Sequence, residues 1–238
     1  MKKIKSWVRI PSWWLVPTKD NGNPLLTEIK ADNDLYGSLG CKIAALLIYI
    51  SIAILAEEEE DKDGNIRCLR AEVTYDTLQN MTNLSRPLLS KGLQSLEELE
   101  LVRINKNGRS SSYLLNGYDH GRGWCKLPAK ALVKQIGSTG FYAIEPFKHF
   151  TKRSVYELYA LKIFLYLLAV RGNDDNYSDP KIETIGKRTG ITANRIKRTN
   201  SFLLTSGLLY EIQKSQEGKK NSPNRYLVSG YNDLTQRL

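Results

Sequence analysis

The chain carries one pattern twice, and an internal repeat of this length restricts the fold to two copies of a single supersecondary unit. One copy closes on Tyr113-Leu-Leu-Asn-Gly-Tyr118 and the other on Tyr226-Leu-Val-Ser-Gly-Tyr231, an offset of 113 residues. Ahead of these endings stand Leu78, Thr82, Leu84, Leu89, Leu96 and Leu101. Shifted by 107 residues they fall on Ile185, Thr189, Ile191, Ile196, Leu203 and Leu208. The extra length of the second copy lies just before its closing strand. A longer hairpin absorbs it, because the entropy of loop closure grows slowly with length.

Both copies read in the same order. A long apolar helix comes first, over residues 43–55 and 156–170. An exposed loop follows at residues 57–65 and 172–178, and the acidic run Glu57 to Glu60 is expected to be part of a solvated loop. A short helix comes next, starting near Thr74 in the first copy. In the second it opens on Asp179-Pro180, an N-cap residue with proline at the first helical position. A tight turn at Asn83 or Gly190 closes it. A third helix starts at the N-cap residues Ser85 and Thr192, with Leu89, Leu93 and Leu96, or Ile196 and Leu203, facing inward. Asn200 stands where the first copy has Leu93. Strands then begin at Leu101-Val102 and Leu208-Leu209, a polar basic hairpin follows, and the YLxxGY strand returns. Helix, helix, turn, helix and a two-stranded wing describe a winged helix.

The stretch from Thr189-Gly-Ile-Thr to Ser206-Gly-Leu-Leu209 resembles the helix-turn-helix line of winged-helix DNA-binding domains, as does Thr82-Asn-Leu-Ser through Val102. The tandem arrangement is similar to plasmid and phage replication initiators, a family that binds origin DNA through paired winged helices. The resemblance covers residues 41–118 and 154–231 and is one of architecture; no signature ties the chain to one named family. The fold class expected is therefore mainly α with small β wings (α+β), two winged helix-turn-helix domains in tandem. Residues 1–40 form a basic, aromatic arm and lead-in, 41–118 the first domain, 119–153 an interdomain brace and 154–238 the second domain.

In this fold the third helix enters the major groove and the wing meets backbone or minor groove. The outward positions expected on the first copy are Ser85, Arg86, Ser90, Lys91 and Gln94, followed by the acidic turn Glu97, Glu98 and Glu100. On the second they are Asn194, Arg195, Lys197, Arg198 and Ser201. Arginine can contact guanine with two hydrogen bonds, and asparagine or glutamine can do the same with adenine. Arg86, Arg195, Arg198, Gln94 and Asn194 are thus the candidate base readers. Lysines and hydroxyls suit phosphates, which position without specifying. The wings add Lys106 and Arg109 in the first copy, and Lys214, Lys219, Lys220 and Arg225 in the second.

Charge points the same way. The net charge is +10, and residues 1–118 balance 15 Lys/Arg against 15 Asp/Glu. The excess therefore falls on the brace and above all on residues 151–238, with 15 basic and 8 acidic side chains. A basic excess attracts polyanions, or serves colloidal stability alone. The expected partner is double-stranded DNA, with a homodimer or replication and transcription proteins as further partners, and no membrane. The apolar run at residues 43–56 falls short of the roughly 20 residues that span a bilayer. Cys41, Cys68 and Cys125 lack metal-ligand spacing and suit a reducing compartment, hence a cytoplasmic, nucleoid- or plasmid-associated location. No phosphate-binding loop, nucleophile elbow or HExxH pair is present, so no catalytic residue, metal or cofactor is expected.

Two segments remain open at this level. The arm interleaves Lys2, Lys3, Lys5 and Arg9 with Trp7, Trp13 and Trp14. That pattern grips nucleic acid or packs the arm on the first domain, and packing is the better reading. The brace is too apolar for a free tether; residues 128–136 read as a short helix, and the segment fixes domain spacing or serves dimerisation. The rival function is a winged-helix protein–protein adaptor of a nucleoprotein complex, which would have no use for the Arg195-Lys197-Arg198 row.

Overall fold

The computed structural model describes residues 4–17, 22–60, 62, 66–107, 110–118, 123–137, 140–214 and 223–235. The protein is a mixed α and β structure. In chain order come β1 (Val8–Pro11), α1 (Leu39–Leu55), β2 (Glu57–Glu60), β3 (Ile66–Val73), α2 (Tyr75–Thr82), α3 (Arg86–Glu98), β4 (Val102–Asn107) and β5 (Ser110–Leu115). Then follow β6 (Trp124–Leu127), α4 (Ala129–Leu132), β7 (Val133–Ile136), β8 (Phe141–Ile144), α5 (Val155–Val170), α6 (Ile182–Thr189), α7 (Ala193–Thr205), β9 (Leu209–Gln213) and β10 (Arg225–Val228).

Helices α1 and α5 are apolar on every face, and a helix without a polar face must be surrounded. Every residue of α1 from Cys41 to Leu55 is buried, as is α5 from Glu157 to Leu168. Helix α1 packs on α2, α3 and β3, α5 packs on α6 and α7, and the two central helices also touch each other. One continuous core results.

The repeat is visible in backbone detail. Tyr36 and Lys152, each two residues ahead of the N-cap serines Ser38 and Ser154, adopt left-handed φ of 64° and 65°. Thr82 and Thr189 are both buried and donate to the carbonyls of Leu78 and Ile185 at 2.6 Å. The turns after α2 and α6 use left-handed Asn83 and Gly190. Asn116 N donates to Leu101 O at 3.0 Å, and Ser229 N to Leu208 O at 3.1 Å. Strand β3 pairs Ala71 with Tyr113 of β5. At the matching residues of the second unit, Ser178 and Tyr226 exchange two backbone hydrogen bonds in an isolated bridge. The first unit therefore runs helix, two strands, helix, helix, strand, strand, and the second the same with a single bridge in place of the first two strands.

Several local expectations are corrected. Residues 57–65 are not wholly a loop: Glu57–Glu60 is an edge strand paired antiparallel with β3, in the sheet order β2-β3-β5-β4. Four glutamates tolerate a strand here because Arg9 and Lys5 meet Glu58, and Arg70 meets Glu59 at 2.5 Å. Residues 128–136 form one helical turn and then β7, which pairs with β8; β-branched Val133 starts the strand. Helix α6 begins at Ile182, with Lys181 rather than Asp179 at the N-cap, because the Ser178 bridge holds the preceding chain extended. Ser85 and Thr192 stand at their N-caps without a side-chain capping bond, whereas Thr74 accepts from Thr77 N at 3.2 Å. Cys41, Cys68 and Cys125 are free thiols. Among the described residues no helix is long and apolar enough to cross a membrane.

The arm and the brace join each other and both units. Strand β1 pairs with β6, stacking Trp7 on Trp124 with ring centroids 6.0 Å apart. Trp14 is fully buried and donates to the Tyr49 hydroxyl of α1 at 3.1 Å. The brace places β8 against α2 and β6 against α5. Packing is thus what the arm's described tryptophans do. Gly117, at φ 84°, has no room for a side chain, since an added Cβ would lie 2.1 Å from the Trp13 indole nitrogen. Gly207, at φ 79°, has nothing within 4 Å.

Residues 25–34 pass across both central helices and receive a buried lysine from each. Lys42 Nζ donates to Lys30 O at 2.7 Å and to Asn33 Oδ1 at 2.8 Å; Lys162 Nζ donates to Ile29 O at 2.7 Å. Burial, opposed by Glu28, holds the Lys162 ammonium down to about 7.

Two predictions follow from this packing. Gly117→Ala should cost about 2–4 kcal/mol in denaturant unfolding and Gly207→Ala only about 1, because only the former adds a clash to left-handed strain. Between pH 7 and roughly 10 the unfolded chain binds a proton at Lys162 that the native state lacks, so stability should rise with pH across that window. Melting curves of Lys162→Met should show a shallower rise than wild type; parallel pH profiles would refute the assignment.

Candidate nucleic-acid interface

Helix α7 is anchored by Ile196, Thr199 and Leu203, all buried, and this fixes which face is left outward. On that face Asn194, Arg195, Lys197, Arg198 and Ser201 are exposed, as the helical spacing predicts. Helix α3 is anchored in the same way by Leu89, Leu93 and Leu96, and Gly92 lets it approach α1 closely. A Cβ at Gly92 would lie 2.7 Å from Ile48 Cδ1. Its outward residues Ser85, Arg86, Ser90, Lys91 and Gln94 are exposed too.

The two helices differ in what holds those side chains. On α3, Arg86 pairs with Asp76 of α2 at 2.7 Å and Gln94 donates to Glu98 at 2.8 Å. The loop ahead of α1 reaches the same helix, where Ser95 Oγ donates to Tyr36 O at 2.8 Å. Lys91 and Gln94 line a small cleft there with Asp34, Tyr36 and Glu98. Behind the C-terminal turn lies a second cleft of about 460 Å³, where Glu97 and Glu100 face Arg67 and Arg103. A polyanion approaching α3 therefore meets carboxylates as well as cations.

On α7 the basic groups meet phenols instead. Arg195 Nη1 donates to the Tyr159 hydroxyl at 2.7 Å, its guanidinium carbon 5.8 Å from that ring's centroid. One turn on, Arg198 Nη1 makes a long hydrogen bond of 3.5 Å to Tyr156, and the phenol favours the charged guanidinium. Tyr156 and Tyr159 meet edge to face, 6.2 Å between centroids. Neither tyrosine was marked by the sequence pattern, in which both read as part of an apolar helix. Their spacing on the face of α5 that meets α7 is the signal that could have found them. Asn200, the polar residue in a core position, lies beside the buried Tyr226 hydroxyl.

The basic residues expected on the two hairpins are only partly placed. Lys106 is exposed on β4 and Lys214 follows β9. The guanidinium of Arg225 lies 4.5 Å over the Tyr177 ring. Arg109, Lys219 and Lys220 lie outside the described residues. The α7 residues and the described part of the β9–β10 hairpin thus belong to the unit that carries the basic excess.

Comparison with protein-family models, curated proteins and solved structures finds no match to this chain.

Proposed function

We propose that this chain is a double-stranded DNA-binding protein whose two repeated units are winged helices in tandem, with α7 as its principal reading helix. The observation that carries this reading is the outward face of α7, where Asn194, Arg195, Lys197, Arg198 and Ser201 are exposed on a helix fixed to the core. No acidic side chain lies on α7 itself. Arginine and asparagine supply donors that match base edges, and the lysine neutralises phosphate. Element order supports the fold assignment, since each unit runs helix, two strands or a bridge, helix, helix, then a two-stranded hairpin.

The biological setting proposed is replication initiation of a mobile element, with transcriptional regulation as the other use of the same chemistry. Two unequal units in one chain suit directional, repeated sites. Helix α3 favours a second activity for the first unit: its tied Arg86 and its Glu97, Glu98 and Glu100 suit a protein contact better than a duplex. The protein then reads DNA with one unit and holds a partner of the nucleoprotein complex with the other.

Fluorescence anisotropy with a random duplex of about 30 base pairs, across a salt series, tests the assignment. Affinity should fall steeply with salt, and Arg195→Ala/Arg198→Ala should weaken it about tenfold or more. A folded protein that does not bind at low salt would overturn DNA binding and leave the adaptor reading in its place.

A further inference from the structure

Resting on that reading, we propose that Tyr156 and Tyr159 of α5 are positioning residues for DNA recognition, holding Arg198 and Arg195 of α7 in the pose that meets the duplex. The two arginines are three residues apart on one helix and the two tyrosines three apart on another, and the helices pack together. The result is a pair of rungs, Arg195 to Tyr159 at 2.7 Å and Arg198 to Tyr156 at 3.5 Å. Residues three apart share a helical face, so both rungs belong to one seam.

The repeat supplies an internal control. With the 107-residue offset of the third helices, Arg195 and Arg198 correspond to Leu88 and Lys91. With the 116-residue offset between Ser38 and Ser154, Tyr159 and Tyr156 correspond to Ile43 and Gly40. The first unit has no phenol in this seam: Ile43 is fully buried, Gly40 has no side chain and lies beside Leu88, and Lys91 keeps the charge of Arg198 without a tyrosine opposite it. The first unit therefore packs its third helix on its first without either rung, and fold alone does not require the two Arg–Tyr pairs of the second.

A guanidinium has five N–H donors, and a hydroxyl that accepts one leaves the others for a ligand. Tyr159 is buried and its position is fixed, whereas Arg195 is an exposed residue. The rung thus removes rotamer freedom from a long side chain before binding. Immobilising such a side chain costs an interface about 0.5–1.5 kcal/mol, so loss of the rung should weaken binding roughly three- to tenfold. Because the charge is unchanged, the number of phosphates neutralised should not change.

The test is a double-mutant cycle on the random duplex, using wild type, Tyr159→Phe, Arg195→Ala and the double variant, with Tyr156→Phe and Arg198→Ala as a second cycle. Phenylalanine keeps the ring and its packing. Expected results are a three- to tenfold weakening by Tyr159→Phe, an unaltered salt slope, and no further effect of Tyr159→Phe once Arg195 is alanine. Equal losses in both backgrounds would show that the tyrosine acts through the fold and would overturn the proposal. So would an unchanged affinity of Tyr159→Phe, while leaving DNA binding itself intact. Absence of binding by wild type would instead remove the functional reading on which the proposal stands.

Discussion

The contact between α1 and α5 governs the rest of the molecule. Each helix is apolar on all sides, and its own unit covers only part of it. Helices α2 and α3 with β3 flank α1, and α6 and α7 flank α5. The remaining surface would face water, at a cost of about 25 cal/mol for every Å² of apolar area left exposed. The two helices resolve this by packing against each other, with β1 against α1 and β6 against α5. A single core, rather than two cores on a tether, is the outcome. It also sets where α3 and α7 stand, since each rides on one of the central helices.

Polar chemistry inside this contact gives it register. Lys42 and Lys162 extend from the two central helices to carbonyl oxygens of one segment, residues 29–33. An ammonium away from water is costly, and the lowered titration of both lysines records that cost. What each lysine gains is a fixed set of acceptors that apolar packing could not specify. Apolar helices can slide or rotate past one another with little change in buried area. A buried donor that must find one carbonyl cannot, because an unmatched position leaves both groups unsatisfied. Glu157 plays the corresponding part at the start of α5, where its carboxylate accepts from Thr151 Oγ1 and Arg153 N, and Ser154 caps the helix.

The parts legible in sequence are those set by local rules. Helical spacing placed Leu89, Leu93, Leu96, Ile196 and Leu203 inside, and the left-handed turns at Asn83 and Gly190 follow from residue type. The repeat offsets map true equivalences, down to Ala71 and Ser178, which no motif had marked. What escaped depends on partners distant in sequence. Glu57–Glu60 reads as solvated until Arg9 and Arg70 are brought beside it. Strand β3 alternates Leu69 and Ala71 inward with Arg70 and Glu72 outward, but its partners β2 and β5 meet it only in the fold. The Arg–Tyr seam was invisible for the same reason: Tyr156 and Tyr159 fit an apolar pattern, and their hydroxyls acquire meaning only when α7 lies against α5.

The units keep some core positions and differ at others, both inside and at the surface. Thr82 and Thr189, Leu101 and Leu208, and Tyr113 and Tyr226 keep the same burial in both copies. Among the positions that differ on the third helix are Leu88 against Arg195, Lys91 against Arg198, and Leu93 against Asn200. The first adds a cation to the seam between the third helix and the first, the second exchanges lysine for arginine there, and the last places an amide near Tyr226. In the first unit the strand ahead of α2 is long and its sheet has four strands; in the second it shrinks to one bridge. One unit carries a larger sheet with an acidic edge, whereas the other carries its distinctive chemistry on a helix. One helical scaffold, present twice around a shared core, thus carries two different faces.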